Sequence, residues 1–315
     1  MKTLSFNHSG KFKIVQFTDL HLQNGELEDE KTITLMEKIL DKEKPDLAVL
    51  TGDTIRALHC IDPKKAFSLA VGPMENRRIP WAAVFGNHDD EGAVSKEDLM
   101  NLQKGYLHCY SRPGSKNVTG VGNYDIPIYQ QDGSLSFILY FLDSGSIASG
   151  TIGGYDWIKR NQIEWYEHKS RNYSFLNKKP LPSLAFFHIP LPEFNDLWDY
   201  HVTYGNKFEP VGCPKVNSGL FSAMVERQDV KGIFVGHDHI NDFCGDYFGI
   251  RLAYGRATGF NTYGKEGYPR GARIIELLDN TFRTWIRLED GSVIENQIIH
   301  HPQGNSDENR YVEVQ

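Results

Sequence analysis

The sequence predicts an α/β fold, a two-sheet β-sandwich flanked by helices, and three observations carry that expectation. Apolar runs of strand length alternate with helical patterns through the first part of the chain, as βαβ units require. Beyond residue 239 the helical patterns stop and only short strands remain. Five of the apolar runs also end in His, Asp or Asn, which suits a site at the carboxyl ends of parallel strands.

The elements follow in order. Residues 12–18 form the first expected strand, and residues 29–42 place Ile33, Leu35, Met36, Ile39 and Leu40 at helical spacing before Pro45. A strand over 47–51, a helix over 63–76 with Pro63 in its first turn, and a strand over 81–85 come next. Such alternation with short connections predicts a parallel sheet with right-handed crossovers. A helix is expected between 95 and 104, then strands over 124–129 and 136–142 around Asp132-Gly133, a hairpin turn signal. Ile163, Trp165 and Tyr166 mark the apolar side of a helix over 161–175. After a strand over 184–187, residues 189–218 are rich in proline, glycine and aromatics and are expected to be a loop on the rim of a substrate site. A helix over 219–228 leads to a strand over 231–235. Strands near 242–247, 250–255, 272–278 and 282–288 fit antiparallel hairpins. No linker divides the chain, so residues 1–315 are expected to form one domain with a polar tail over 301–315.

Composition narrows the function classes. With 40% apolar and 24% charged residues the chain is an ordinary globular one, and disorder is not its default. A formal net charge of −7 argues against a sequence-independent grip on nucleic acid, so no nucleic-acid partner is expected. Cys60, Cys109, Cys213 and Cys244 lie far apart without a CxxC pair, so they are expected as free thiols. The N-terminus lacks the apolar core of a signal peptide and no run approaches transmembrane length, so a cytoplasmic protein with no membrane partner is expected.

The five strand ends carry the chemistry. They are Asp19-Leu20-His21, Gly52-Asp53, Gly86-Asn87-His88-Asp89, His188 and Gly236-His237-Asp238-His239. Asp19 and His21 are two apart, so in an extended segment both point to one side, and the same holds for His237 and His239. Asp53 and Asn87 each follow a glycine, where the backbone can turn sharply and let an ion approach. Taken singly, each piece reads as a turn or a rim histidine. Five of them after five strands point to one shared metal site. Two Asp, four His and one Asn offer oxygen and imidazole donors without thiolate, a set that suits Zn, Mn or Fe. Two divalent ions against two carboxylates leave the site net positive, so an anionic substrate is expected.

In this order the motifs resemble the calcineurin-like metallophosphoesterase superfamily over residues 13–239, whose pattern is DxH, GD, GNH[DE], a lone His and GHxH. The stretches 236–243, 153–158 and 270–273 resemble its branch of predicted phosphohydrolases related to purple acid phosphatases. The resemblance implies the metallophosphoesterase fold and two metal ions. One would be held by Asp19, His21, Asp53 and His239, the other by Asp53, Asn87, His188 and His237, with Asp53 bridging. His88 would face the phosphoryl group, with Asp89 orienting its ring. The activity implied is phosphoester hydrolysis by a metal-bound water or hydroxide, first of all on phosphomonoesters of small molecules or phosphoproteins. Small, cyclic-nucleotide-like diesters are the alternative substrates, and a non-catalytic scaffold is the reading of another class. The chain departs from the true purple enzymes in having Arg56 where they carry a tyrosinate and His21 where they carry a glycine, so that His21 would replace the tyrosinate.

Residues around the motifs stay open at this level. Arg256, Arg270 and Arg273 are expected as structural arginines before phosphate contacts, and Asn241 and Asp242 as supports of the loop that carries His239. Tyr155, Trp157 and the aromatics of 194–204 could pack on a leaving group or only cover the sheet.

Overall fold

A computed structural model describes residues 3–302, and the expected tail therefore lies, from residue 303 on, outside the described residues. The chain opens with β1 (Leu4–Ser5) and β2 (Lys11–Phe17). Phe12 and Ile14 of β2 pack on one side and Val15 and Phe17 on the other, all of them buried, so both faces of this strand are covered. Against Val15 and Phe17, α1 (Leu27–Glu43) lays Leu35, Met36, Ile39 and Leu40. Then come β3 (Leu47–Thr51), α2 (Pro63–Arg77) and β4 (Trp81–Val84), with β2, β3 and β4 mutually parallel. Asp62 caps α2 by accepting from Lys65 N, and its proline stands in the first turn, where no amide bond is lost. Ser95 and Asp98 form a capping box at the start of α3 (Lys96–Gln103).

The second part builds the other sheet. An antiparallel hairpin of β5 (Tyr124–Tyr129) and β6 (Leu135–Phe141) is followed by α4 (Arg160–Asn177) and β7 (Ser183–Phe186), parallel to β6. Next are α5 (Glu193–Tyr200), β8 (Thr203–Tyr204), α6 (Leu220–Arg227) and β9 (Val230–Val235), parallel to β7. The chain continues through β10 (Cys244–Tyr247), β11 (Ile250–Tyr254), β12 (Gly271–Leu278), β13 (Thr281–Leu288), β14 (Val293–Ile294) and β15 (Ile299–His300).

These strands form a nine-stranded sheet, β1-β5-β6-β7-β9-β11-β10-β8-β15, and a six-stranded sheet, β14-β13-β12-β2-β3-β4. The expected architecture of two sheets with flanking helices is present. Phe12, Ile14, Leu47 and Val49 of one sheet meet Phe137, Leu139, Phe186 and Phe234 of the other in a shared core. Helices α1 to α3 cover the outer face of the six-stranded sheet, and α4 to α6 that of the nine-stranded sheet. The late hairpins divide between the sheets instead of forming one of their own. β11 extends the nine-stranded sheet by pairing in parallel with β9, while β12 pairs antiparallel with β2 from Arg273↔Gln16 to Leu278↔Lys11.

Residues 189–218 are not wholly irregular, because α5 lies within them. Phe194 and Leu197, one turn apart, are fully buried, and this spacing is masked in the sequence by the neighbouring prolines. The aromatics of 194–204 serve packing: Phe194 lies against Phe243 and Tyr254, and Trp198 stacks on His300 at 3.8 Å between centroids. Among the described residues no helix is long and apolar enough to cross a membrane.

The three late arginines are buried in the fold. Arg273 donates to Tyr254 O at 2.5 Å and Asp242 O at 2.6 Å. Arg256 Nη1 pairs with Asp242 Oδ2 at 2.5 Å, and its guanidinium lies over the Tyr268 ring. Asp242 Oδ1 accepts from Asn206 N at 2.7 Å, so this buried carboxylate joins three segments. Asp242→Ala leaves Arg256 as an uncompensated buried charge and is expected to lower stability by about 3–5 kcal/mol. The check is the urea midpoint at unchanged slope, and a loss below about 1 kcal/mol would contradict this account.

Candidate metal centre

β2, β3, β4, β7 and β9 all stop just before a side chain of the sequence-predicted site. The two sheets meet there through Gln16, a fully buried amide on β2 that donates to Thr51 Oγ1 at 2.9 Å and to Val235 O at 3.0 Å. Asp19, His21, Asp53, Asn87, His188, His237 and His239 are all buried at this junction.

The backbone reaches the junction by kinks, and the expectation of extended segments does not hold. Asp19, His21, Asp53 and His237 have φ of 55°, 50°, 48° and 79°, the left-handed region that ordinary residues avoid. Such conformations cost of order 1–3 kcal/mol each and persist only where the surroundings fix them. Here the fixing bonds are His21 N to Asp53 O at 2.9 Å, and His237 N to both carboxylate oxygens of Asp19 at 3.1 Å. Two glycines make the approach possible. A Cβ on Gly52 would lie 2.5 Å from His188 Nδ1, and one on Gly86 would overlap the Asp53 carboxylate.

The donor atoms fall into two groups. One comprises Asp19, His21, Asp53 and His239, the other Asp53, His188 and His237, and within each group the donor atoms lie within 4.8 Å of one another. Asp53 belongs to both. Its Oδ2 stands 3.1 Å from His188 Nε2 and 3.6 Å from His21 Nε2, while its Oδ1 accepts from His88 N at 2.8 Å. Asn87 Oδ1 joins the second group at 3.2 Å from His188 Nε2.

Three contacts test whether cations fit. His21 Nε2 faces His239 Nε2 at 3.2 Å, and His188 Nε2 faces His237 Nδ1 at 3.2 Å. Ligands about 2.1 Å from a shared ion stand roughly 3.4 Å apart in a tetrahedral set, so both spacings suit an ion between the nitrogens. His188 Nδ1 lies 2.8 Å from Thr51 O and must donate to it, which turns its Nε2 toward three acceptors, Asp53, Asn87 and His237. The site thus gathers lone pairs and supplies few donors. Buried Asp/His clusters of this kind suit a dinuclear metal centre.

The protonation equilibria follow from the same crowding. Burial pushes His21 and His237 down to about 3, keeping both neutral and able to ligate. For Asp19 burial acts upward, yet the hydrogen bond and charge of His239 outweigh it and hold the carboxyl down to about 2. Asp53 is likewise held well below the usual range despite burial, chiefly by His188. Burial opposes the charged form of His188, but Asp53 and Asp19 raise it to about 9.

Around these groups lies a set of supports that sequence reasoning only partly identified. Asp238 is directed away from the centre and accepts from Gly212 N and from Tyr254 OH. Asn241 Oδ1 accepts from Phe208 N and Glu209 N, and so ties the 206–209 segment to the histidine loop. Thr262 Oγ1 lies 2.6 Å from His239 Nδ1, and Arg270 Nη2 holds the carbonyls of Thr262 and Tyr263 at 3.0 and 2.8 Å. Neither Thr262 nor Glu91, which stands beside the His88 ring, carries a motif signal.

Asp89 corrects an expectation. Its two carboxylate oxygens accept from Ile55 N at 3.0 Å and Gly86 N at 2.7 Å, so it braces the loop instead of orienting the His88 ring. Burial and the charge of Asp53 push it up to about 7. The carboxylate beside His88 Nδ1 is Glu91, at 2.9 Å, and the His88 ring stands 5.2 Å from that of His21. Tyr155 presents its ring edge-on to His237 at 4.2 Å, whereas the Trp157 ring lies under Lys159 Nζ.

Known proteins are similar to this chain in sequence or in fold. The family model for calcineurin-like phosphoesterases matches residues 12–241. A protein of Arabidopsis thaliana named probable inactive purple acid phosphatase 29 is 35% identical over 96% of this chain and 90% of its own length. Phosphatase DCR2 of Saccharomyces cerevisiae is 37% identical over 89% of this chain, which spans 54% of that protein. Among solved structures, a dimetal phosphatase of Danio rerio superposes with a TM-score of 0.62 at 13% identity, covering 91% of this chain and 99% of the other. A purple acid phosphatase from yellow lupin seeds does so with a TM-score of 0.55 at 13% identity, covering 92% and 53%. At such identities the structural likeness speaks for the fold alone.

A metal ion must displace the proton on His188 Nε2, which in the metal-free chain is held up to pH values near its pKa of about 9. Loading metal near neutral pH is therefore expected to release roughly one proton from this group, and affinity is expected to fall as pH falls. Calorimetry in two buffers of different ionisation heat reads the release directly. Heats independent of buffer would contradict the account.

Proposed function

The chain belongs to the calcineurin-like phosphoesterase family, and from that premise we propose that it is a dinuclear metal-dependent phosphomonoesterase. The observation that carries the reading is the sharing of Asp53 between two groups of buried donors. One ion would be held by Asp19, His21, Asp53 and His239 and the other by Asp53, Asn87, His188 and His237. The donors are nitrogen and oxygen without sulfur, a set that would suit Mn, Fe or Zn. When bound, such a pair lowers the pKa of water to about 7 and clamps an in-line displacement at phosphorus.

The chain's own residues do the rest. Asp53 keeps its Oδ2 between the two groups because Oδ1 is fixed by His88 N. The carboxylates of Asp19 and Asp53 offset half of the four positive charges of two divalent ions, leaving a field that matches the dianion of a monoester better than the single charge of a diester. His88 lies beside the first group with its ring partly exposed, where it can donate a proton to the leaving oxygen. The Glu91 carboxylate stands 2.9 Å from Nδ1, where it favours a positive charge on the ring.

The scaffold reading draws on the names of the Arabidopsis relatives, which include the words probable inactive. The presence of every donor in both groups favours catalysis for this chain. Metal-replete protein assayed in parallel on a monoester and a diester is expected to turn over the monoester faster, with Asp53→Asn lower by about a thousandfold or more. A faster diester would move the reading to a diesterase, and an undiminished Asp53→Asn would remove the enzymatic reading. His88→Ala is expected to lose ~10² to 10⁴ in kcat on an alkyl monoester, with a smaller loss on an activated aryl ester. Full turnover of the alkyl ester by that variant would rule His88 out as the acid.

A further inference from the structure

Tyr263 stands out among the exposed aromatic residues because it is immobilised. Its side chain is 54% exposed, yet it is held at three points. Its hydroxyl donates to Glu209 Oε2 at 2.6 Å, its carbonyl accepts from Arg270 Nη2 at 2.8 Å, and one face of its ring stacks on His239 at 4.2 Å and 30°. Glu209 is itself held, since its Oε1 accepts from Ile240 N at 2.8 Å. A solitary exposed aromatic needs no explanation. One whose rotational freedom has been removed, and which lies against a histidine of the candidate centre, is a preorganised surface.

A second tyrosine borders the other group. Tyr155 lies edge-on to His237, with Asp53 and Asp238 among the charges nearest its hydroxyl, and that hydroxyl has no hydrogen-bond partner among the described residues. Its backbone pairs with Ile147, whose side chain is 64% exposed. Each group of metal-type donors thus has one tyrosine ring against one of its histidines. The charged groups nearby are spent on the loops: Glu209 on Tyr263 and Ile240, and Arg270 on two carbonyls. Apart from His88 and Glu91 on the far side of the first group, the surfaces described against the two histidines are tyrosine rings.

We propose that the open face of Tyr263, with Tyr155 as the second wall, is the leaving-group subsite, and that the esters accepted best are those of flat aromatic alcohols. The inference rests on the phosphoester reading above and names the substrate class within it. Stacking on a fixed ring is worth about threefold to tenfold in affinity.

The test is binding of inorganic phosphate, methylphosphonate and phenylphosphonate to the manganese-loaded chain by calorimetry, with Tyr263→Ala and Tyr263→Phe beside the parent. The parent is expected to bind phenylphosphonate about threefold to tenfold tighter than methylphosphonate. Tyr263→Ala should lose that preference and keep its affinity for phosphate within about twofold, while Tyr263→Phe, which retains the ring, should keep the preference. Equal binding of the two phosphonates by the parent would overturn the subsite. So would a Tyr263→Ala variant that weakens phosphate as much as phenylphosphonate, because the ring would then serve only to place His239. A phenyl preference in a chain that hydrolyses no ester would remove the catalytic reading and leave the subsite standing, whereas a parent that fails to bind phosphate would overturn both.

Discussion

The structure depends on a buried carboxylate, Asp53, that two strand-end clusters share. Taking an ionised carboxylate out of water costs several kcal/mol even after relaxation, so it must be surrounded by donors or cations. One oxygen is met by His88 N, and the other faces His188 and His21. This single requirement explains features that otherwise look unrelated. Gly86 leaves room for the Asp53 side chain, Gly52 leaves room for His188, and Asp53 itself takes a left-handed backbone that delivers its carboxylate between the sheets. The fold accepts the strain because β3 is an interior strand, fixed by β2 on one side and β4 on the other.

How much of this was legible in the sequence follows from which interactions are local. A strand end marked by His, Asp or Asn is a local pattern, so β2, β3, β4, β7 and β9 and the side chains after them could be read directly. The partition of the late hairpins could not be read, because β12 chooses β2 across more than two hundred residues through burial on both faces. Backbone handedness was equally hidden: the spacing of Asp19 and His21 fits an extended segment, and only the tertiary bonds to Gly52 and Asp53 turn it. Asp89 misled because adjacency in sequence suggested adjacency in space to the His88 ring. Its carboxylate instead closes the loop on Gly86 and Ile55, which leaves the ring to Glu91. In α5 the helical signal is two apolar residues among prolines, too short to compete with the turn signals around it.

The segment past the last motif has a role that no motif announces. The family match ends at residue 241, yet Thr262 lies against His239 Nδ1, Arg270 holds the backbone of Thr262, and Arg256 neutralises Asp242 beneath the histidine loop. A histidine that ligates through one nitrogen needs its other nitrogen fixed if the ring is not to rotate. His188 finds that partner at Thr51 O within the motif region, whereas His239 takes it from Thr262. The hairpins therefore complete the centre as well as the sheets, and damage to Asp242 would reach the site through Asn206 and Arg256.

If His21 replaces the tyrosinate, as the resemblance implies, the structure offers a way for such a centre to change donors without losing its geometry. By the resemblance, the true purple enzymes place a tyrosinate three residues after the shared aspartate, the position of Arg56, and a glycine at the position of His21. In this chain the residues after β3 run past Arg56 into a short turn at Ala57–His59, so that strand end supplies only Asp53. A donor of another kind stands at the end of β2, where His21, kinked by its left-handed backbone, brings Nε2 to 3.2 Å from His239 and 3.6 Å from Asp53. The two positions can trade because the backbone already joins them: His21 N donates to Asp53 O, and Leu22 pairs with Ile55. Such a change of donor type from phenolate to imidazole would remove one negative charge from the first group, which would raise its net positive field and favour an anionic ligand.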